Sequence, residues 1–152
     1  ELEKMNSCLK KGLSVVQGDA NYDLNDFSDN SFSTVILSQT IQATIFPERV
    51  IKNLIRIGKR AIISFPNFGF WKIRKDFFFS GKMPKNKILP YEWFDTPNIH
   101  LCSVNDFIQL CHKNRIKIRD KVLLNENGEK IQSINFFENL LSYQVIFCVS
   151  KK

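Results

Sequence analysis

The sequence contains no closely spaced pair of cysteines and only two histidines. Its four cysteines are scattered along the chain without a C-x-x-C pair, at Cys8, Cys102, Cys111 and Cys148. Cysteines scattered in this way suggest neither a disulfide framework nor a zinc ribbon, and we expect reduced, mostly buried thiols. The two histidines, His100 and His112, lack acidic neighbours at the spacing of a metal site. The sequence therefore predicts no bound metal.

Long apolar runs and several catalytic motifs are also absent. No apolar run approaches the roughly 20 residues that a membrane span needs, and the polar start of the chain lacks the apolar centre of a secretory signal. We therefore expect a cytoplasmic protein without a membrane partner. No G-x-S-x-G elbow and no P-loop lysine motif occurs, which argues against hydrolase and NTPase functions.

The composition is that of an ordinary globular protein with a basic excess. The 152 residues are 43% hydrophobic and 24% charged, with a net charge of +7. This length suits one packed domain spanning residues 1–152. The lysines are dispersed in a chain rich in Lys, Asn, Ile and Phe, so we attribute the charge to composition bias and expect no nucleic-acid partner.

Hydrophobic periodicity predicts alternating helices and strands. Helices are expected at residues 1–11, ending at Gly12, and from Pro47 to a stop at Gly58. Strands are expected at residues 13–16, 31–37 and 60–65, and a strand, helix, strand order with short connections is typical of a parallel sheet with a right-handed crossover. Two later strands, at residues 116–124 and 143–149, are expected to pair antiparallel at a sheet edge. The pattern predicts an α/β fold.

Residues 66–100 form an irregular segment, which in a compact domain is usually functional or mobile. We predict one helix inside it, around residues 70–79, and a second helix after it with a capping box at Ser103 to Asp106 that buries Phe107. Lysines alternate with aromatics in the first of these helices. They suit an anionic surface or a partner protein, although docking of the aromatics on the core is the favoured interpretation. Three successive phenylalanines at 77–79 cannot all face one core, so one of them should be partly exposed, which hints at a protein contact.

Polar residues that follow the strands are the candidate site residues, because ligands of open α/β sheets bind at the carboxyl ends of strands. These positions lie at residues 17–20, 38–40, 65–69 and 98–100. Asp19 could accept a hydrogen bond from a nucleotide amino group, but a turn aspartate that caps the next segment is the commoner arrangement. Ser38, Gln39 and Thr40 suit a polar ligand, or they simply end a strand. His100 is a candidate general base, or a histidine bonded within its loop.

Several runs of this sequence resemble the MetW family. They are Val15–Asp19, Phe32–Thr44, Ile57–Gly69, Met83–Pro84 and Leu89–Cys102, which include Ser-Phe-Pro-Asn-Phe-Gly and Asp-Thr-Pro-Asn-Ile-His. The resemblance implies a Rossmann-like class I S-adenosylmethionine (SAM) methyltransferase fold, with a mostly parallel sheet and an antiparallel terminal strand. It also implies a role in methionine biosynthesis beside a homoserine O-acyltransferase.

The resemblance also implies roles for individual residues. Asp19 and Ala20 would lie near the adenine of SAM, and Ser38 and Gln39 near its methionine part. Asp95 and His100 are candidate bases. Five further positions match family motifs and are expected to contact substrate or partner: Asn67, Phe68, Tyr91, Trp93 and Asn98.

Two departures from the family pattern concern the cofactor. By this alignment the first strands, the Gly-x-Gly turn and the ribose-binding acid of relatives would lie before Glu1, and without that turn this fragment is expected to bind SAM poorly. Ser33 stands where relatives carry an aspartate. Two functions therefore remain open: a protein partner of homoserine acylation, with residues 66–100 as its contact surface, and a SAM-dependent methyltransferase acting on an unidentified small molecule. Whether the protein is an enzyme stays open with them.

Overall fold

The computed structural model describes residues 2–87, 89–132 and 137–152, and the side chains of Leu2 and Lys4 are not among the described groups. The helices are α1 (Leu2–Lys10), α2 (Pro47–Ile57), α3 (Trp71–Ser80), α4 (Val104–Lys113) and α5 (Glu138–Leu141). The strands are β1 (Val35–Ser38), β2 (Ala61–Pro66), β3 (Ile116–Leu124), β4 (Lys130–Ile131) and β5 (Gln144–Lys151). Short 3-10 turns lie at Asp23–Asp26 and Ile41–Ala43.

The five strands form one mixed sheet in the order β1-β2-β5-β3-β4. Strands β1 and β2 are parallel and joined through α2, as the strand, helix, strand pattern predicts. The three remaining pairings of the described strands are antiparallel, so the antiparallel part is larger than one terminal strand. Strand β5 does not lie at an edge. It pairs with β2 on one side and β3 on the other, and β4 takes the edge. The predicted α/β fold class is confirmed.

The main core lies between one face of the sheet and helices α2 and α4. It joins apolar residues of α2, such as Ile51 and Leu54, to α4 and to the central strands. The ring of Phe107 in α4 lies 5.0 Å from that of Phe65 in β2 and 4.6 Å from that of Phe147 in β5. These contacts fix the strand ends that carry the candidate site residues, because a close-packed interior resists displacement of its neighbours.

The capping box of α4 is present as predicted. The Ser103 side chain accepts from the Asp106 amide, and the Asp106 carboxylate accepts from the Ser103 amide at 3.0 Å. Helix α4 therefore starts at a fixed place directly after the irregular segment. His112 is exposed in its last turn, where a surface histidine was expected.

The strand predicted at residues 13–16 is wrong. These residues form no ladder with any described strand, and Val16 is 82% exposed. An apolar run becomes a strand only where its backbone finds a partner and its side chains a buried face. Helix α1, in contrast, ends close to its predicted limit, with Gly12 in the left-handed conformation at φ 74°. Glu1 lies outside the described residues.

The packing predicted for α3 is wrong as well. Only Ile73 of this helix is buried, and all three phenylalanines, Phe77, Phe78 and Phe79, are exposed. Three consecutive residues spread over about 200° of a helix, so a single contact face cannot cover them. The sequence predicted one partly exposed phenylalanine, and the exposure goes further, since all three are exposed.

The cysteines are free but less buried than predicted. Only Cys111 is fully buried, and Cys8, Cys102 and Cys148 are partly exposed. Burial raises the pKa of Cys111 from its ordinary value of 9.0 to about 12. Its thiol is therefore protonated at neutral pH and serves as a small core residue.

Candidate functional site

The mouth of β1 is formed by Ser38 and Gln39, beside Ser64 of β2. The hydroxyl oxygens of Ser38 and Ser64 are 3.3 Å apart, and the Gln39 amide donates to the Ser64 carbonyl at 2.9 Å. Gln39 has a φ of 52°, in the left-handed region that glycine favours. Such backbone strain persists only where the surroundings hold it and is common at functional sites. Here the bonds to Ser64 hold it.

Gln42 lies behind this mouth with its side chain almost fully buried. Its Nε2 donates to the Gln39 carbonyl at 2.9 Å, and its Oε1 is buried without a hydrogen-bond partner among the described residues. Exchanging the two amide atoms would place oxygen against the Gln39 carbonyl, so the bond itself supports this orientation. An unpaired buried acceptor costs about 1–3 kcal/mol, which a bound donor would recover.

The segment that ends at His100 is fastened to the same place. The amides of Ile99 and His100 both donate to the Gln42 carbonyl at 2.9 Å, and the His100 Nε2 lies 3.4 Å from the Ile45 carbonyl. His100 is otherwise exposed at the rim of the site. The structure thus bonds His100 to Gln42, whose side chain in turn bonds Gln39, although His100 and Gln39 are far apart in sequence.

Asp19 reaches the same region through Asn21. Its Oδ1 accepts from both the backbone and side-chain amides of Asn21, each at 2.8 Å. The Asn21 Oδ1 in turn accepts from the amide of Ile45 at 2.8 Å. The capping arrangement considered for Asp19 is therefore present. Ala20 lies between them, partly exposed.

The irregular segment encloses an apolar groove in two connected parts, which we call the aromatic groove. One part, about 390 Å³, lies between α3 and the start of α4, and the other, about 280 Å³, lies within the segment itself. The two parts share four of their lining residues, Met83, Pro84, Leu89 and Leu101. Among the predicted contact residues, Phe68 lines the first part, and Tyr91, Trp93 and Asn98 line the second.

Asp95 lies outside the aromatic groove on an exposed turn. Its amide donates to the Glu92 carbonyl at 3.1 Å. Neither part of the groove counts Asp95 or His100 among its lining residues, so the structure does not bring the two candidate bases together there.

Asn67 is fully buried and connects three parts of the chain. Its Nδ2 donates to the carbonyls of Asn139 and Ser142 at 2.9 and 2.8 Å. Its Oδ1 accepts from the amides of Gly69 and Val104 at 2.9 and 3.2 Å. Every hydrogen-bonding group of the side chain is occupied, which leaves none for a substrate. The bonds of Asn67 hold Gly69 and Asn139, which both line the first part of the aromatic groove.

Sequence analysis missed Gln42 as a site residue. It lies in a 3-10 turn four residues after the end of β1, and its carbonyl is bonded by residues 99 and 100, which are distant in sequence. No local pattern distinguishes it from an exposed glutamine. No cluster of three or more potential metal ligands occurs in the part of the chain that the structure describes, and no helix there is long and apolar enough to span a membrane.

Solved structures resemble this chain in fold. A SAM-dependent methyltransferase from Thermotoga maritima matches with a TM-score of 0.64 at 18% identity, covering 99% of this chain and 70% of that one. A SAM-dependent methyltransferase from Archaeoglobus fulgidus matches with a TM-score of 0.60 at 15% identity, covering 98% and 72%. The [4+2]-cyclase SpnF also matches, with a TM-score of 0.60 at 11% identity, covering 96% and 61%. At these identities the likeness shows the fold alone.

Sequence comparison gives the family. The bifunctional methionine biosynthesis protein MetXA/MetW of Rhodopirellula baltica is 30% identical over 135 residues, which is 88% of this chain. The chain spans 22% of the length of that relative. The model of the family described as methionine biosynthesis protein MetW matches residues 1–149. The chain therefore belongs to the MetW family of methionine biosynthesis proteins.

Proposed function

We propose that this protein acts in methionine biosynthesis as a protein partner of a homoserine O-acyltransferase, with residues 66–100 as its contact surface. The observation that carries the proposal is the exposure of large aromatic residues in this segment. Trp93 and Phe94 are 75% and 72% exposed, and Phe78 and Phe79 are 82% and 78% exposed. Aromatic side chains of this kind dominate the binding energy of many protein interfaces.

The exposed aromatics are held in pairs rather than scattered singly. The rings of Phe78 and Phe79 lie 5.2 Å apart at 88°, and those of Trp93 and Phe94 lie 5.7 Å apart at 87°. Paired rings of this type lose less conformational freedom when a partner covers them. The aromatic groove beside them offers a concave apolar surface for side chains of the partner.

Charge adds a preference for an acidic partner surface. Lys75, Lys82 and Lys87 lie on or beside α3 and form no ion pair with any described residue. Complementary charge accelerates encounter and sets orientation. The family relative whose name joins MetXA and MetW in one bifunctional protein supports a partnership of this kind.

The test is binding and activity with a purified homoserine O-acyltransferase from the same source. We expect the two proteins to co-elute and acyl transfer to accelerate when this protein is added. Trp93→Ser should weaken binding about 10-fold or more, as expected for loss of an aromatic anchor. Tyr22→Ser is the matched control, since Tyr22 is an exposed aromatic outside the segment. No binding and no change in acyl-transfer rate would reject the proposal.

A second candidate function, SAM-dependent methyl transfer, is favoured by the orphaned Oε1 of Gln42. The residues at the mouth of β1 suit the amino-acid end of SAM, because Gln42 offers a buried acceptor to an ammonium group and Ser38 an exposed hydroxyl. When bound, SAM would supply the electrophilic methyl group. The protein would contribute mainly by positioning, with His100 at the rim as the candidate base.

Calorimetry with SAM tests this second function. Gln42→Leu should weaken SAM binding about 10-fold, because the ammonium would lose a buried acceptor. Gln109→Leu, an exposed glutamine of α4, is the matched control. Absence of SAM binding to the full-length protein would reject methyl transfer and leave the partner proposal intact.

A further inference from the structure

A cationic concavity lies where β1 and β2 begin, at the end of these strands opposite to the candidate site. It has a volume of about 460 Å³ and is lined by Ser33, Lys59, Arg60, Arg119, Cys148 and Ser150. Backbone bonds fix its rim, since the Lys59 amide donates to the Phe32 carbonyl and the Val35 amide to the Arg60 carbonyl, both at 3.0 Å. None of the residues discussed for the candidate site lines it.

Two guanidinium groups in this concavity are oriented by hydroxyl groups. The Arg60 Nε donates to the Thr34 Oγ1 at 2.8 Å, and the Arg119 Nε donates to the Ser150 Oγ at 2.8 Å. The Ser150 hydroxyl donates onward to the Lys151 carbonyl, which leaves its lone pairs for Arg119. Both arginines therefore use only Nε within the described structure, and their Nη donors stay available in a fixed orientation.

Arg119 lies at a β-bulge in β3. Ile118 lies opposite Val149, and Asp120 lies opposite Cys148, so Arg119 is an extra residue without a partner on β5. Bulges commonly redirect a side chain beside a functional site.

The three cations lack neutralising partners. Among the residues that the structure describes, no carboxylate pairs with Lys59, Arg60 or Arg119. Asp120, the nearest carboxylate in sequence, uses its Oδ1 to accept from the Lys121 amide. Like charges that converge without a counter-ion repel one another, and an anion between them would remove that repulsion.

We propose that this concavity binds the phosphate group of a small molecule. The planar fork of arginine matches the oxygen geometry of phosphate, and charge-assisted bonds of this type are roughly twice as strong as neutral ones. Free phosphate, pyrophosphate and the diphosphate of a nucleotide share this chemistry. The concavity has room for more than one phosphoryl group, so pyrophosphate should bind more tightly than phosphate.

Calorimetry at low ionic strength tests the site with inorganic phosphate, pyrophosphate and ADP as separate probes. We expect pyrophosphate binding that weakens as salt is added, because screening reduces exposed charge interactions. Tighter binding of ADP than of pyrophosphate would identify a nucleotide as the source of the phosphate. Absence of binding for all three probes would overturn the proposal.

Variants distinguish binding at this concavity from nonspecific attraction of anions by the net positive charge of the protein. The double variant Arg60→Gln/Arg119→Gln should abolish pyrophosphate binding. The control double variant Arg49→Gln/Lys130→Gln removes the same charge elsewhere and should change the affinity for pyrophosphate by less than about 2-fold. Thr34→Val keeps every charge but releases Arg60, and should weaken binding about 3-fold or more. Thr34→Val remains informative if the double arginine variant does not fold. Equal binding by wild type, the double arginine variant and Thr34→Val would overturn the proposal.

Discussion

One buried amide, that of Asn67, holds together segments more than 70 residues apart. It bonds the loop after β2 to the start of α4 and to the region around α5. Asn67→Ala should lower the free energy of unfolding by about 2–4 kcal/mol, because several buried groups would lose their partners together. Urea unfolding measures the change.

The control for this variant is Asn127→Ala, since Asn127 is exposed and its side chain forms no hydrogen bond with any residue that the structure describes. It should change the free energy of unfolding by less than about 0.5 kcal/mol. Equal effects of the two substitutions would contradict a positioning role for Asn67.

At this scale the sequence predicted positions better than roles. The end of β1 identified Ser38 and Gln39, and Gln39 is bonded to the side chain of Gln42. Asp19 was chosen from a strand that the structure does not contain, yet it connects to Ile45 through Asn21. Asn67 was expected to contact a ligand because it matches a family motif. Its side chain instead forms hydrogen bonds to Asn139, Ser142 and Val104, which lie in chain segments that no local sequence pattern brings together.

At the scale of elements, the end of α2 is packed tightly against β1 at Gly58. A Cβ atom at Gly58 would lie 2.6 Å from the Val35 Cγ2 and 3.0 Å from the Arg60 carbonyl oxygen. Gly58→Ala should therefore destabilise the fold by about 1–3 kcal/mol through overpacking. The φ of Gly58 is −116°, so backbone strain contributes nothing.

A double-mutant cycle with Val35→Ala checks the cause. Removal of the Val35 methyl groups should relieve part of the clash, so the double variant should lose at least about 0.5 kcal/mol less than the sum of the single variants. Strict additivity would show that Gly58 does not act through Val35.

Helix and strand limits were predicted well where capping and burial agree. The capping box fixed the start of α4, and β3 spans the predicted residues 116–124. The bulge inside β3 was missed. The sequence does carry a sign of it: Ile116 and Ile118 face the core at even-numbered positions, whereas Leu123 faces it at an odd-numbered one. A bulge produces this change because one extra residue shifts which side chains face the core. Residues 13–16 have strand composition but no partner strand among the described residues.

At the scale of the whole molecule, stability should be concentrated in the antiparallel centre of the sheet. Strand β5 is bonded on both sides, and its Val145, Phe147 and Val149 are fully buried. Helix α1 is largely exposed, and β4 consists of two residues. Native-state hydrogen exchange should therefore be slowest in β2 and β5 and fastest in α1 and β4. Exchange as slow in α1 as in β5 would contradict this distribution.

The fold class was predictable from the order of elements, whereas strand order was not. Parallel pairing of β1 and β2 follows from a short crossover through α2. The position of β5 between β2 and β3 depends on which apolar faces meet across the sheet. The alternation of apolar and polar residues along β5 does not reveal this position, because an edge strand can show the same alternation.

The central position of β5 also sets the order of events during protein synthesis. A ribosome releases β1, β2, β3 and β4 before β5, yet β2 and β3 have no direct contact in the finished ladder and meet only through β5. The nascent chain must therefore wait with two unjoined groups of strands, whose exposed edges can pair wrongly. Residues 144–151 join the two groups in one step, and a message truncated before them would yield a product that chaperones and proteases must remove.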